Sequence, residues 1–117
     1  MGARRREIFE PSEDQITAAV VEHWRTFGVT GSLVASIPNK RAFGQPGLTK
    51  GLPDLLVLSP QLGRITGFIE LKRERGGRLS DAQHEIGVLL QWREVPYAVC
   101  WGRDEPIEQL RTWGAIR

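Results

Sequence analysis

Three side chains in this 117-residue chain have types and spacing that could do chemistry on a polyanion: Asp54, Glu70 and Lys72. They lie in one stretch. It runs Gly51-Leu52-Pro53-Asp54, an apolar run Leu55-Leu56-Val57-Leu58, a turn at Ser59-Pro60-Gln61-Leu62-Gly63, then Arg64-Ile65-Thr66-Gly67-Phe68-Ile69-Glu70-Leu71-Lys72. Two β-like runs around a Pro/Gly turn predict a hairpin. If it folds about Gln61 or Leu62, Asp54 and Glu70 stand opposite one another, about 5 Å apart across the strands. Strand side chains alternate, so Glu70 and Lys72 point one way while Ile69 and Leu71 enter the opposite layer. Like charges facing each other in a sheet are destabilising, and Thr or Val would serve stability better. A divalent cation removes the conflict. Hard oxygen ligands suit Mg²⁺, which keeps several waters and shares its shell with phosphate oxygens. Lys72 could hold or deprotonate an attacking water, or offset charge on the phosphorane.

The elements that must position these residues can be read along the chain. Residues 1–10 carry Arg4-Arg5-Arg6 without periodicity and are expected to form a flexible basic arm, leaving 11–117 as one domain. Ser12-Glu13-Asp14-Gln15 is a capping-box pattern, and Ile16, Ala19, Val20, Trp24 and Phe27 recur at helical spacing until Gly28. Glu13 projects from the edge of that buried stripe, where it at least complements the helix dipole. Ser32 to Ile37 reads as a strand ended by Pro38. The segment from Asn39 to Lys50, with Lys40, Arg41 and Lys50 among breakers, reads as a loop able to wrap a duplex backbone and is expected to be disordered without ligand. Arg73-Glu74-Arg75-Gly76-Gly77-Arg78 is a second basic loop, anchored by Lys72 and suited to phosphate. Ser80 caps a second helix with Ile86, Leu89 and Leu90 expected inward; Gln83 completes its capping box. Tyr97 to Trp101 reads as a last strand and Asp104 to Trp113 as a closing helix. Trp92, Trp101 and Trp113 are expected as core or interface filler. The order predicts an α/β layer architecture whose mixed sheet carries the site on one edge.

Composition bounds the function. With 40% hydrophobic and 26% charged residues, the chain is ordinary globular material. No apolar run approaches a membrane span, and the first residues lack the apolar region of a signal peptide, so a cytoplasmic location is expected. One cysteine, Cys100, excludes an internal disulfide and a Cys-rich zinc site; His23 and His84 have no partners at metal-ligand spacing. The net charge of +2 is uneven. Eight basic residues face three acids between Lys40 and Arg78, a local +5, so positive charge gathers around the candidate site. No P-loop, dinucleotide fingerprint or acyl-transfer triad competes.

Pro53-Asp54 with Glu70-Leu71-Lys72 resembles the PD-(D/E)xK nuclease superfamily. The ordered set Ile37-Pro38-Asn39, Gly51-Leu52-Pro53-Asp54-Leu55, Ile69-Glu70-Leu71-Lys72 and Leu79-Ser80 leading to Gln83 is similar to its VRR-NUC family, over roughly Ser12 to Trp101. The resemblance implies a restriction-endonuclease-like αβββαβ core. It implies Mg²⁺ or Mn²⁺ held by Asp54, Glu70 and the carbonyl of Leu71, with Lys72 positioning the water and Glu13 and Gln83 assisting. It also implies DNA contacts from the region of Lys40, Arg41 and Lys50, no small-molecule cofactor, and, for stand-alone phage and bacterial members, a homodimer cutting branched DNA such as four-way junctions in replication, recombination or repair. A flap- or RNA-directed nuclease of the same chemistry, and a non-catalytic nucleic-acid-binding module, are the alternatives.

Overall fold

The computed structural model describes residues 10–38 and 46–117. The expected arm up to residue 9, and the loop positions Lys40 and Arg41, lie outside the described residues.

Ser12 opens helix α1 (Glu13–Phe27) with the expected reciprocal cap. The Gln15 backbone N–H donates to Ser12 Oγ at 3.2 Å, and the Ser12 N–H donates to Gln15 Oε1 at 2.9 Å. Ile16 and Val20, one turn apart, are buried. Phe27, expected on the same stripe, is exposed and lies against His23 instead, with ring centroids 4.7 Å apart. Gly28 ends the helix through close approach. Its φ is an ordinary −61°, but a Cβ would come within 2.6 Å of the Trp24 carbonyl oxygen and indole nitrogen.

The remaining elements are β1 (Leu33–Ser36), β2 (Leu55–Leu58), β3 (Gly67–Lys72), α2 (Asp81–Trp92), β4 (Tyr97–Trp101) and α3 (Asp104–Thr112). The sheet runs β1-β2-β3-β4, antiparallel across its first two pairings and parallel between β3 and β4. A parallel return needs a crossover, and α2 supplies it. The αβββαβ order is therefore present, followed by α3. The site strands are not at a lateral edge as expected. Because β4 lies down beside β3, β2 and β3 become the two inner strands.

The two faces of the sheet are used differently. Val34, Leu55, Val57, Ile69, Leu71 and Cys100 form the core with Ile16 and Val20 of α1 and Leu110 of α3, closed by Ala115 and Ile116. On the opposite face, alternation places Glu70 and Lys72 with Phe68 on β3 and Tyr97 and Val99 on β4, beneath α2. Gly87 is the buried residue of α2, Ile86 and Leu90 are half-buried, and Leu89, expected inward, is 50% exposed. The stripe centres on Gln83, Gly87 and Leu90 because the helix rests Gly87 on the ring of Tyr97. Trp92, expected as filler, is 84% exposed. Among the described residues no helix is long and apolar enough to cross a membrane.

Ile69 is wholly buried at the middle of the core. Ile69→Ala should lower the unfolding free energy by about 2–5 kcal/mol through lost burial and the cavity left behind. Trp92→Ala should change it by no more than about 0.5 kcal/mol. Equilibrium denaturant unfolding of both variants checks the assignment of inside and outside.

Candidate active site

The register of the two inner strands brings the acids together. Leu55 pairs with Ile69 and Val57 with Gly67, so Asp54 falls opposite Glu70 one step beyond the ladder. Hydrogen-bonded and non-hydrogen-bonded pairs alternate in an antiparallel ladder. The β3 residues Phe68 and Lys72 direct their backbone groups toward β4, where the Phe68 N–H donates to the Pro96 carbonyl and the Gly102 N–H donates to the Lys72 carbonyl, both at 2.9 Å. Glu70, in phase with them, does the same. Asp54 and Glu70 thus occupy a non-hydrogen-bonded position, where facing side chains come closest. The Asp54 carbonyl is held from the other side, accepting from the Ile37 N–H at 2.8 Å.

The Leu71 N–H donates to Asp54 Oδ2 at 2.7 Å, a buried bond across 17 residues of chain. In an extended strand a residue's N–H and C=O project to the same side, so the Leu71 carbonyl also faces the Asp54 side, past the end of the β2 pairing. Its side chain lies in the core.

Burial makes the cluster electrostatically demanding. Asp54 is 7% exposed, Glu70 1% and Lys72 5%. Lys72 Nζ lies 3.7 Å from Glu13 Oε2 and 4.0 Å from Glu70 Oε2. Gln83 Nε2 donates to Glu70 Oε2 at 3.2 Å, while Gln83 Oε1 accepts from the Ser80 N–H at 2.8 Å and Ser80 Oγ accepts from the Gln83 N–H at 3.1 Å. Helix capping and contact with the acid are therefore compatible, because an amide has a donor end and an acceptor end. Glu70 Oε1 is buried with no hydrogen-bond partner. Burial first, then the hydrogen bond and charge of Asp54, push the Glu70 carboxyl up to about 9 against the opposing charge of Lys72.

Two buried carboxylates, one with an unpartnered oxygen, are groups that could hold a hard cation. An orphaned buried carboxylate oxygen beside a second carboxylate is costly alone and satisfied by a divalent ion. Among the described residues, no group of three or more His, Cys, Asp or Glu is placed to share a metal, so the side-chain donors available here are the carboxylates of Asp54 and Glu70. That small donor set fits Mg²⁺, which is ordinarily bound through one or two carboxylates together with waters and substrate phosphates.

Five sequence-predicted residues, Glu13, Asp54, Glu70, Lys72 and Gln83, are joined in one network of contacts. Of the predicted nucleic-acid contacts, Lys50, Arg73, Arg75 and Arg78 are exposed in the two loops that flank the carboxylates. The strap that follows Lys50 meets the helix that follows the second loop, with Gly51 against Ala82 at the start of α2. The second loop is held in place: the Trp101 indole N–H donates to the Gly77 carbonyl at 3.0 Å, and the Arg75 N–H donates to Glu10 Oε1 at 2.5 Å. Trp101 is thus a loop anchor rather than core filler. Tyr97 is a further neighbour, which the strand pattern alone does not mark out. Burial first, then Glu70 and Asp54, push its phenol up to about 12. Only the parallel register, which puts Tyr97 on the face of Glu70, reveals it.

Unfolded, Glu70 loses its proton near 4.5; folded and metal-free, it keeps the proton to about 9. Between those values the unfolded state binds fewer protons, so this residue's contribution to stability falls as pH rises. In EDTA, the stability advantage of Glu70→Gln over the wild type should therefore grow from about pH 5 to about pH 9. Thermal unfolding of both proteins across that range checks this; a constant difference contradicts it.

The VRR-NUC domain family model matches residues 11–104. A solved structure described as a VRR_NUC domain protein superposes with a TM-score of 0.72 at 20% identity, covering 89% of this chain and 88% of that one. A second, described as a VRR_NUC domain, gives 0.60 at 21% identity, covering 86% and 94%. No curated protein matches the chain. The likeness to these structures is one of fold, restriction-endonuclease-like with a mixed four-stranded sheet, while the family match spans most of the sequence and includes every residue of the network above. The chain belongs to the VRR-NUC domain family of PD-(D/E)xK nucleases.

Proposed function

We propose that this protein is a metal-dependent endonuclease that hydrolyses phosphodiester bonds in DNA, acting on branched duplexes such as four-way junctions. The observation that carries the reading is the buried Asp54–Glu70 pair with Glu70 Oε1 unpartnered and Lys72 beside it. A binding module has no use for two facing carboxylates at the centre of a basic surface, where they repel phosphate.

The donor set would be Asp54, Glu70 and the Leu71 carbonyl. Mg²⁺ or Mn²⁺ bound there would polarise the scissile phosphate and lower the pKa of a coordinated water. The chain's own groups do the rest. Lys72, desolvated and ion-paired with Glu13, presents a fixed positive charge that orients the attacking water and offsets charge developing on the phosphoryl oxygens. Gln83 fixes the rotamer of Glu70 by donating to Oε2, leaving Oε1 for the metal. Arg73, Arg75, Arg78 and Lys50 hold phosphates on either side and set the register of the duplex without reading sequence. Lys40 and Arg41 join them in this reading. The branched substrate and a homodimer that sets two sites on opposite strands follow the likeness to stand-alone members of the family; action within the cytoplasm, at the nucleoid, is proposed beside them.

A labelled four-way junction, its matched linear duplex, a flap and an RNA, each with Mg²⁺, Mn²⁺ or EDTA, test the proposal. Junction cutting should require metal, and Asp54→Ala, Glu70→Ala and Lys72→Ala should each reduce it by at least ~10²-fold with the fold intact by circular dichroism. Cutting that survives all three substitutions removes the mechanism. Metal-dependent binding without cutting moves the reading to a binding module, and preference for flap or RNA moves the substrate. Sedimentation of the free protein decides between monomer and dimer.

A further inference from the structure

Helix α2 meets the rest of the site at two glycines, and Gln83 lies between them. Gly51 has φ +91°, and a Cβ there would stand 2.6 Å from both the carbonyl carbon and oxygen of Ala82. Gly51 is also three residues ahead of Asp54, at the start of the strap that delivers that carboxylate. Gly87 is buried in the middle of the helix against the ring of Tyr97, where a Cβ would lie 2.9 Å from Cε2 and Oη and 3.0 Å from Cζ. Contacts this short do not persist in a packed interior, so with any larger residue the helix or its neighbour must move. Glycine is also the poorest helix former after proline, so its place on the buried face marks a close approach rather than a helical preference.

Gln83 is one residue from the first contact and one helical turn from the second, and its amide reaches Glu70 Oε2 at 3.2 Å. That bond is already at the long end of normal N–H···O distances, so a shift of a few tenths of an ångström breaks it.

We infer that Gly51 and Gly87 are positioning residues of the proposed nuclease site: by letting α2 settle at backbone distance on the Asp54 strap and on Tyr97, they place the Gln83 amide on Glu70. The contact itself is independent of activity; its catalytic consequence rests on the nuclease reading. The strap carrying one carboxylate and the strand carrying the other are thereby clamped to a single helix. Neither glycine touches substrate, and both act through Gln83 on the orientation of Glu70.

The test uses Gly87, since the positive φ of Gly51 makes any substitution there strained regardless of space. Four variants are compared with wild type: Gly87→Ala, Gly87→Ala with Tyr97→Leu, Gln83→Ala, and Gly87→Ala with Gln83→Ala. Leucine at 97 lacks the ring atoms that a Cβ at 87 would meet. One readout is the pair of Gln83 side-chain amide resonances in the metal-free protein; the other is the single-turnover rate of DNA cleavage. Gly87→Ala should move the Gln83 resonances to those of a solvated glutamine and slow cutting by about tenfold with DNA affinity unchanged. Adding Tyr97→Leu should restore the resonances and bring the rate back to within about threefold. In the Gln83→Ala background, Gly87→Ala should have no further effect on rate.

Unchanged Gln83 resonances in Gly87→Ala overturn the inference, because the ring rather than the helix has then given way. An equal loss of rate with and without Gln83 overturns it too, since the glycine then acts through the fold at large. Should Gly87→Ala not fold, the variant that also carries Tyr97→Leu decides: wild-type Gln83 resonances support the inference, and displaced ones in a folded protein overturn it. If the wild type cuts no DNA with any metal, the nuclease reading falls, and the resonances alone decide whether the glycines set Gln83.

Discussion

The structure depends on a conflict between two carboxylates that the register of β2 and β3 does not allow to relax. Leu55 and Val57 on one strand, and Ile69 and Leu71 on the other, are all buried on the core face. A slip of one residue would turn Glu70 into the core and Ile69 out of it, so burial of four apolar side chains holds Asp54 against Glu70. Stability supplied on one face of the sheet thereby sustains a close pairing of two acids on the other, which the metal-free protein relieves by leaving the proton on Glu70. The Leu71 N–H, donating to Asp54, is the direct link between the two faces, because the residue that gives it places its own side chain in the core.

Around that pair the charge is moderated by groups from separate elements. Lys72 comes from the same strand, Glu13 from the first turn of α1, and Gln83 from the first turn of α2. Both helices begin with the same Ser-x-x-Gln capping box, and each sends a first-turn side chain to the site. The partial positive charge at the start of a helix is favourable near carboxylates, so two helix N-termini complement what Lys72 alone does not neutralise.

Much of this was legible in the sequence because it depends on short-range rules. The turn fixed the centre of the hairpin near Leu62, and the two-residue period of a strand then assigned Glu70 and Lys72 to one side. The capping boxes fixed both helix starts to the residue. What escaped was decided by packing between elements distant in sequence. Leu89 matched the helical period as well as Leu90, and only contact of Gly87 with Tyr97 determined which side of α2 faced the sheet. The inner position of the site strands depended on β4 joining beside β3, and Phe27 turned outward to meet His23. The role of Trp101 as an anchor of the basic loop needed a partner, Gly77, that no periodicity identifies.

The two-ended use of Gln83 has a consequence for which residues this position tolerates. At the third position of an ordinary capped helix, glutamate and glutamine are interchangeable, and glutamate gains from the helix dipole. Here the side chain must accept from the Ser80 N–H at one end and donate to Glu70 at the other. A glutamate would keep the cap and set a third acid against a carboxylate that is already buried and crowded. The helix would be as well formed as before, yet the position is restricted to an amide, so a substitution neutral by every local rule of helix formation is excluded by one contact from a neighbouring strand.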